Sequence, residues 1–265
     1  MRKKIVILIA ILFNIFFVYS ENAINFDEWY ECEDGFRAIH FYQNNKINFR
    51  DFSFDQQYEL WNQSYKYSAE SSKGIYKIKL DNGKELIGLV SQKYLVLYER
   101  GESKPIFIGG VGISAEATYP LGQIEATSFL TENGKEYKSS NLDNLNSDSP
   151  WVEGVKGYGI GEKLIFQTNM PWIVFFSGYF SLNNPSLYEK NSRVKKVKFK
   201  CLENGKEEIW NFEDTAGGQQ IDLSNLFKYD GSAGVHIEME ILEVYKGAKY
   251  ADTCINGMYI AFSRE

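Results

Sequence analysis

The sequence predicts an all-β protein in two parts, a small antiparallel β domain over residues 21–112 followed by a β-sandwich over residues 113–265. Three observations carry this expectation. Short runs that alternate apolar and polar residues recur from end to end, clusters of turn-forming residues separate them, and no stretch repeats its apolar residues at helical spacing.

In the first part, Trp29–Cys32, Arg37–Tyr42 and Lys46–Phe49 read as short strands. Ile75–Leu80 alternates apolar and basic residues, Asp81-Asn82-Gly83 supplies a positive-φ turn, and Glu85–Val90 leads out again, which makes a hairpin. Tyr94–Tyr98 follows after Ser91-Gln92-Lys93, and Ile106–Ile108 gives one more short strand. A meander of about six or seven such strands closes or folds over on itself. The small residues from Gly109 to Glu116 interrupt the pattern and suit a linker, with a boundary near Ile113.

The second part opens with Ala126–Leu130 and a polar loop, Asn141–Ser149. Its strands are expected at Lys163–Gln167, Trp172–Ser177, Val194–Cys201, Glu207–Phe212, Gln220–Leu223, Val235–Val244 and Met258–Ser263. Many short strands with turn clusters between them argue for a sandwich. In the basic run Arg193–Lys200, Val194 and Val197 are out of phase, so a regular strand starts at Lys196 and turns Lys196, Lys198 and Lys200 to a solvated face.

Residues 1–20 place Arg2, Lys3 and Lys4 ahead of an apolar run, with Val18 and Ser20 small enough for the −3 and −1 positions of a cleavage site. They read as a secretory signal with the mature chain starting at Glu21, the alternative being a retained anchor. No cysteine follows the run, which argues against a lipid anchor. Removing three positive charges takes the formal net charge from −6 to −9. An acidic chain disfavours nucleic acid and anionic lipid as partners, and nothing later in the sequence is apolar for long enough to span a bilayer. An exported protein that is periplasmic, secreted or held at the cell surface is expected. Its cysteines are Cys32, Cys201 and Cys254; Cys201 and Cys254 lie in the same part and are candidates for a disulfide, the alternative being three buried thiols. With only His40 and His236, zinc lacks ligands, and no metal site is expected.

The stretch Ser149–Lys163, SPWVEGVKGYGIGEK, sets a tryptophan, carboxylates, lysines and four glycines where a core strand would not tolerate them. It reads as an exposed contact loop. Trp151 and Tyr158 offer flat apolar faces, and Glu153, Lys156 and Asn191 offer hydrogen bonds, which together match a sugar ring with its apolar C–H face and hydroxyl edge. The alternative is that Trp151 plugs the sandwich and the glycines merely permit tight turns.

Together with Asn191–Lys200 (NSRVKKVKFK) and the alternating segment Ile237–Ile255, this loop resembles the NADase-type glycan-binding domain. That is a discoidin-like (F5/8 type C) module, the translocation module of a streptococcal NAD glycohydrolase, and the resemblance spans about residues 123–262. It implies a discoidin jelly roll and a non-enzymatic carbohydrate-binding role, with a glycan or glycosylated surface protein of the bacterial envelope as partner. It also makes Asn191 and Arg193 the more plausible contacts beside the basic strand. Nothing resembles the catalytic domain of that enzyme, so NAD cleavage is not implied. Discoidin folds often hold calcium at an Asp-Gly-Asp turn; here the positions read Asn144-Leu145-Asn146, without the acids or the glycine, although Asp143 and Asp148 lie close by. No cofactor is expected.

Catalysis finds little support. Glu238 and Glu240 share a strand face about 7 Å apart, but Val235, Ile237, Met239 and Ile241 turn that face to solvent. His236 has no nucleophile motif beside it. The acids Asp27, Glu28, Glu31, Glu33 and Asp34 around Trp29 and Tyr30 read as scattered surface charge. Two other classes stay open: an envelope assembly protein that binds another protein through exposed Tyr179, Phe180 and Tyr188, and a hydrolase with its site in the first domain.

Overall fold

The computed structural model describes residues 24–32, 36–52, 60–111, 113–121, 123–228 and 234–263. The expected signal and Glu33 and Asp34 of the acidic cluster lie outside them. The described chain is almost entirely β.

Eight antiparallel strands come first: β1 (Tyr30–Cys32), β2 (Arg37–Tyr42), β3 (Lys46–Asp51), β4 (Gln63–Ser72), β5 (Ile75–Leu80), β6 (Glu85–Val90), β7 (Tyr94–Glu99) and β8 (Phe107–Gly110). Each pairs with the next, and β1 closes the ring onto β8 through Glu31 against Gly110 and Cys32 against Gly109. Side chains fill the barrel, as expected at this strand number. Tyr30, Phe41 and Phe49 are fully buried there, and Trp61 meets Phe49 edge-on at 5.6 Å.

The strands β6 and β7 are buried on both faces. Leu86, Val90, Leu95 and Leu97 point into the barrel, while Ile87, Leu89, Tyr94, Val96 and Tyr98 pack outward against the second part of the chain. This accounts for their nearly unbroken apolar runs, ELIGLV and YLVLY, because a strand covered on both sides has no polar face.

The glycine-rich segment expected as a linker is mostly strand. Only Val111 and Gly112 separate β8 from β9 (Ile113–Pro120), which already pairs with the last strand of the sandwich. A slender apolar and glycine-rich sequence reads as a break locally, but tertiary pairing recruits it. There follow β10 (Ile124–Ala126), β11 (Thr131–Glu132), β12 (Lys135–Glu136), a 3₁₀ turn (Ser139–Asp143), β13 (Trp151–Val152), β14 (Lys163–Thr168), β15 (Trp172–Ser177), a short α1 (Leu187–Lys190), β16 (Ser192–Cys201), β17 (Glu207–Asn211), β18 (Gln219–Asp222), β19 (Val235–Tyr245) and β20 (Thr253–Ser263). One layer runs β10-β14-β19-β16-β17. The other has β20 between β15 and the pair β9 and β13, with β18 beyond β15. Their facing side chains form one core, including Phe166, Phe199, Met239, Phe175 and Ile255.

The layers join at a corner. The first residues of β20 run parallel to β16, Thr253 beside Ser192 and Cys254 beside Arg193, before β20 shifts to β15 across a bulge at Ser177. A second bulge resolves the phase slip in the basic run. The strand β16 starts at Ser192, not Lys196, and its register against β19 slips between Val194 and Val197, so both valines face the core. Lys195 and Lys196 then both reach Glu243, at 2.9 and 2.5 Å, and hold its carboxyl down to about 2.

The disulfide expected between Cys201 and Cys254 is not made, and all three cysteines are free and buried. Cys254 sits beside Arg193 at one end of β16 and Cys201 ends the same strand, eight residues on. That separation is about 26 Å along a strand, against the roughly 7 Å a disulfide can span.

Candidate functional site

The tryptophan loop is built onto the start of β20. Trp151 pairs with Ile255 and Val152 with Cys254, which sends the indole into the core, where it is fully buried and its Nε1 donates to the Ser128 carbonyl at 3.0 Å. Glu153 follows, with its backbone N–H on the Thr253 carbonyl. Its side chain is also fully buried: one carboxylate oxygen accepts from the Val155 N–H at 2.8 Å and the other from the Thr253 N–H at 3.3 Å. Burial pushes the Glu153 carboxyl above its ordinary value; those two hydrogen bonds oppose the shift, and the nearby Asp252 and Glu162 add to it. Thr253 donates its hydroxyl to the Tyr158 carbonyl at 2.8 Å, which pins the far side of the loop. Gly159 crosses the Glu153 side chain at φ +64, and a Cβ there would stand 2.6 Å from Glu153 Cγ, so glycine is required for both angle and space.

Above this frame the loop is open. Val155, Tyr158 and Ile160 are 41%, 36% and 55% exposed, and Lys156 is exposed. The connection from β19 to β20, Lys246–Asp252, lies alongside: the Lys246 ammonium sits 5.0 Å from the Tyr158 ring, and Lys249 stands over the exposed Tyr250 at 4.9 Å. This connection is laced to α1, with Ala248 N–H on Glu189 C=O and Tyr250 N–H on Lys190 C=O. The rim thus presents two aromatic rings and three lysines on a braced backbone. Lys246, Lys249 and Tyr250 are not marked as contacts by the sequence, although the expected strand ends at Val244 and the Lys246-Gly247-Ala248 break signals a loop.

Asn191 is turned back onto α1, and Arg193 turns toward the barrel. Asn191 is 6% exposed and gives its side-chain amide to the Leu187 carbonyl, capping α1. Arg193, 5% exposed, forms a two-pronged pair with Asp214 at 2.8 and 2.8 Å and donates to the Asn191 carbonyl. Asp214 also takes Lys73 from the turn between β4 and β5. Burial acts to raise the Asp214 carboxyl, yet Arg193 and Lys73 outweigh it and hold the group below its ordinary value. Of the six expected contacts, Trp151, Glu153, Lys156 and Tyr158 come together and Asn191 and Arg193 do not join them.

One further expectation needs correction. Phe180 and Tyr188 are each 1% exposed, covered by the barrel in the contact that also buries Tyr98; Tyr179 is half-buried. The calcium position does not fit a cation. The Leu145 carbonyl accepts from the Tyr98 hydroxyl at 2.6 Å, Asn144 Oδ1 from the Asn146 N–H, and Asp148 Oδ2 from the Ser147 hydroxyl, and among the described residues no three acidic, histidine or cysteine side chains gather as a cation would require. Glu238 pairs across the sheet with Lys163 and Glu240 with Lys198, and Glu203 meets the His236 ring nitrogen at 2.8 Å.

A two-layer sandwich whose loops gather over the start of its last strand is the architecture of an F5/8 type C, or discoidin-like, domain. Residues 117–261, more than half of the chain, match the NAD glycohydrolase translocation F5/8 type C domain, and the chain belongs to that family. No curated protein matches the chain.

Proposed function

We propose that this is an exported, non-catalytic carbohydrate-binding protein that recognises a cell-surface or envelope glycan through the rim of its F5/8 type C domain. The observation that carries the reading is the exposed Tyr158 ring with the Lys246 ammonium 5.0 Å from it and exposed Lys156 on the same loop, which Glu153 and Thr253 brace from below. An aromatic face receives the C–H side of a sugar and the ammonium groups donate to its hydroxyls. Trp151 and Glu153 hold the loop in shape. The rim is shallow, so binding is weak per site and gains from clustering on a surface. Export rests on residues 1–20 and on the family; among the described residues no helix is long and apolar enough to cross a membrane.

A second reading has its own support. Val155 and Ile160 flank Tyr158 with apolar surface that suits a protein partner in envelope assembly. A glycan array with the wild-type chain separates the two. Selective sugar binding supports the lectin reading; a blank array together with a retained protein partner favours assembly.

A further inference from the structure

The barrel closes along most of β4 but not all of it. The strand β3 pairs with β4 only from Gln63 to Lys66, and the Asn45 carbonyl takes the Tyr67 N–H at 2.9 Å where the β2–β3 hairpin turns back. On its other side β4 pairs with β5 to the end, Tyr67–Ser72 against Ile75–Leu80. Residues Ser68, Ala69, Glu70, Ser71 and Ser72 are therefore an edge, and every one of them is exposed. The register identifies the unmatched groups. The Lys66 carbonyl accepts from the Asp81 N–H at 2.9 Å, so the alternation of antiparallel pairs gives Ser68, Glu70 and Ser72 their bonds to β5 and points the N–H and C=O of Ala69 and Ser71 away from it. Among the described residues no hydrogen bond meets them.

Sheet edges are ordinarily blunted by lysine, proline or a bulge. This one has none of the three, and its small side chains allow another backbone to approach. It also lines a cleft against the sandwich. Ser71 borders a lobe of about 270 Å³ that continues over Ile75 and Lys77 of β5 to Pro185 and Glu189, and Ala69 borders an adjoining lobe of about 680 Å³ that runs over β5 and β6 to Leu182 and Arg100. The walls are tied by Ser72 donating to Glu189 at 3.3 Å and by Asp214 holding both Arg193 and Lys73. Clefts between packed units are where ligands most often bind.

We propose that the free edge of β4 accepts an extended polypeptide segment of a partner protein as an added strand, with a lysine or arginine of that segment opposite Glu70. The charge follows from the edge, where Glu70 is the one acidic side chain, and from Glu189 on the facing wall; Lys77, opposite Glu70 on β5, and Lys79 line the same lobes, so the preference for a cation rests on the position directly across the free edge from Glu70. A second copy of this chain fits poorly, because two β4 edges centred on each other set Glu70 against Glu70. Main-chain hydrogen bonds supply the affinity in strand addition and the alternate side chains the selectivity. This site is separate from the glycan rim and stands whether or not the rim binds sugar.

The test uses the full chain and a short acetylated, amidated peptide that alternates valine and threonine about a central lysine. Binding slows amide exchange at Ala69 and Ser71 and leaves Ser68, Glu70 and Ser72 as they were. Ala69→Pro deletes one outward N–H at a position where β5 pairing is untouched, and weakens binding about tenfold or more. Glu70→Lys loses the lysine peptide and gains its glutamate counterpart, which keeps the test decisive if the proline variant misfolds. The proposal is overturned by no peptide binding, by unchanged affinity in both variants, by Ala69 and Ser71 amides already protected in the dilute chain, or by protection that appears only as protein concentration rises.

Discussion

The sandwich sets a partly buried carboxylate at its seam with the barrel and a fully buried one at the base of the tryptophan loop, and only the first carries cations. Asp214 at the seam is gripped by Arg193 and Lys73 and held below its ordinary value. Glu153 under the loop has two backbone N–H groups, with burial pushing it upward. A charge-paired acid ties two packed units together; an acid held by neutral donors shapes a loop whose outer surface stays open. The comparison separates residues that hold the fold from residues that offer a surface, and it assigns Arg193 to the first set and Tyr158 to the second.

The largest effect that would break this division is at the seam. Arg193→Ala leaves partly buried Asp214 with Lys73 alone and is expected to cost about 2 to 4 kcal/mol in denaturant unfolding, less than the full range for breaking a buried pair. A loss below about 1 kcal/mol would mean the pair behaves as a surface contact. Next, Gly159→Ala forces a Cβ onto Glu153 in a left-handed backbone and is expected to cost about 1 to 3 kcal/mol.

The two acids also predict pH dependences of opposite sign. The folded value of Asp214 is lowered, so its contribution is present above the ordinary aspartate value and disappears as pH falls through the folded value. The folded value of Glu153 is raised, so its contribution is present below the ordinary glutamate value and disappears as pH rises through the folded value. Denaturation curves across mildly acidic pH check this: relative to wild type, Asp214→Asn removes a rise of stability with pH, and Glu153→Gln removes a fall. Slopes of the same sign for both would contradict the assignment. The smallest stability effect is expected at the rim, where Lys156→Ala with Tyr158→Ala changes unfolding by less than about 0.5 kcal/mol.

Much of the fold was legible because alternation survives wherever one sheet face is buried. Arg37–Tyr42, Ile75–Leu80, Glu85–Val90 and Trp172–Ser177 are strands at the bounds their patterns suggest. The strand β4 was not legible, since after Tyr67 its sequence, SAESS, faces water on both sides and has no apolar period. Phe180 and Tyr188 read as exposed because their cover comes from the barrel, far away in sequence. The candidate site was legible in part for the same reason. The SPWVEGVKGYGIGEK pattern marks a glycine-rich loop, and the exposure of Lys156 and Tyr158 agrees with it. Nothing local distinguishes an arginine offered to a ligand from one paired with Asp214 and braced by Lys73, so Arg193 needed the packing of the two parts to be understood.

The proposed function requires that the rim bind a sugar and that the frame beneath it only hold the loop. Titration calorimetry with the strongest glycan from an array, against wild type and the Lys156→Ala, Tyr158→Ala double variant at equal thermal stability, tests this directly. The account predicts a loss of affinity of about tenfold or more in the variant. Equal affinity in the two proteins would contradict it.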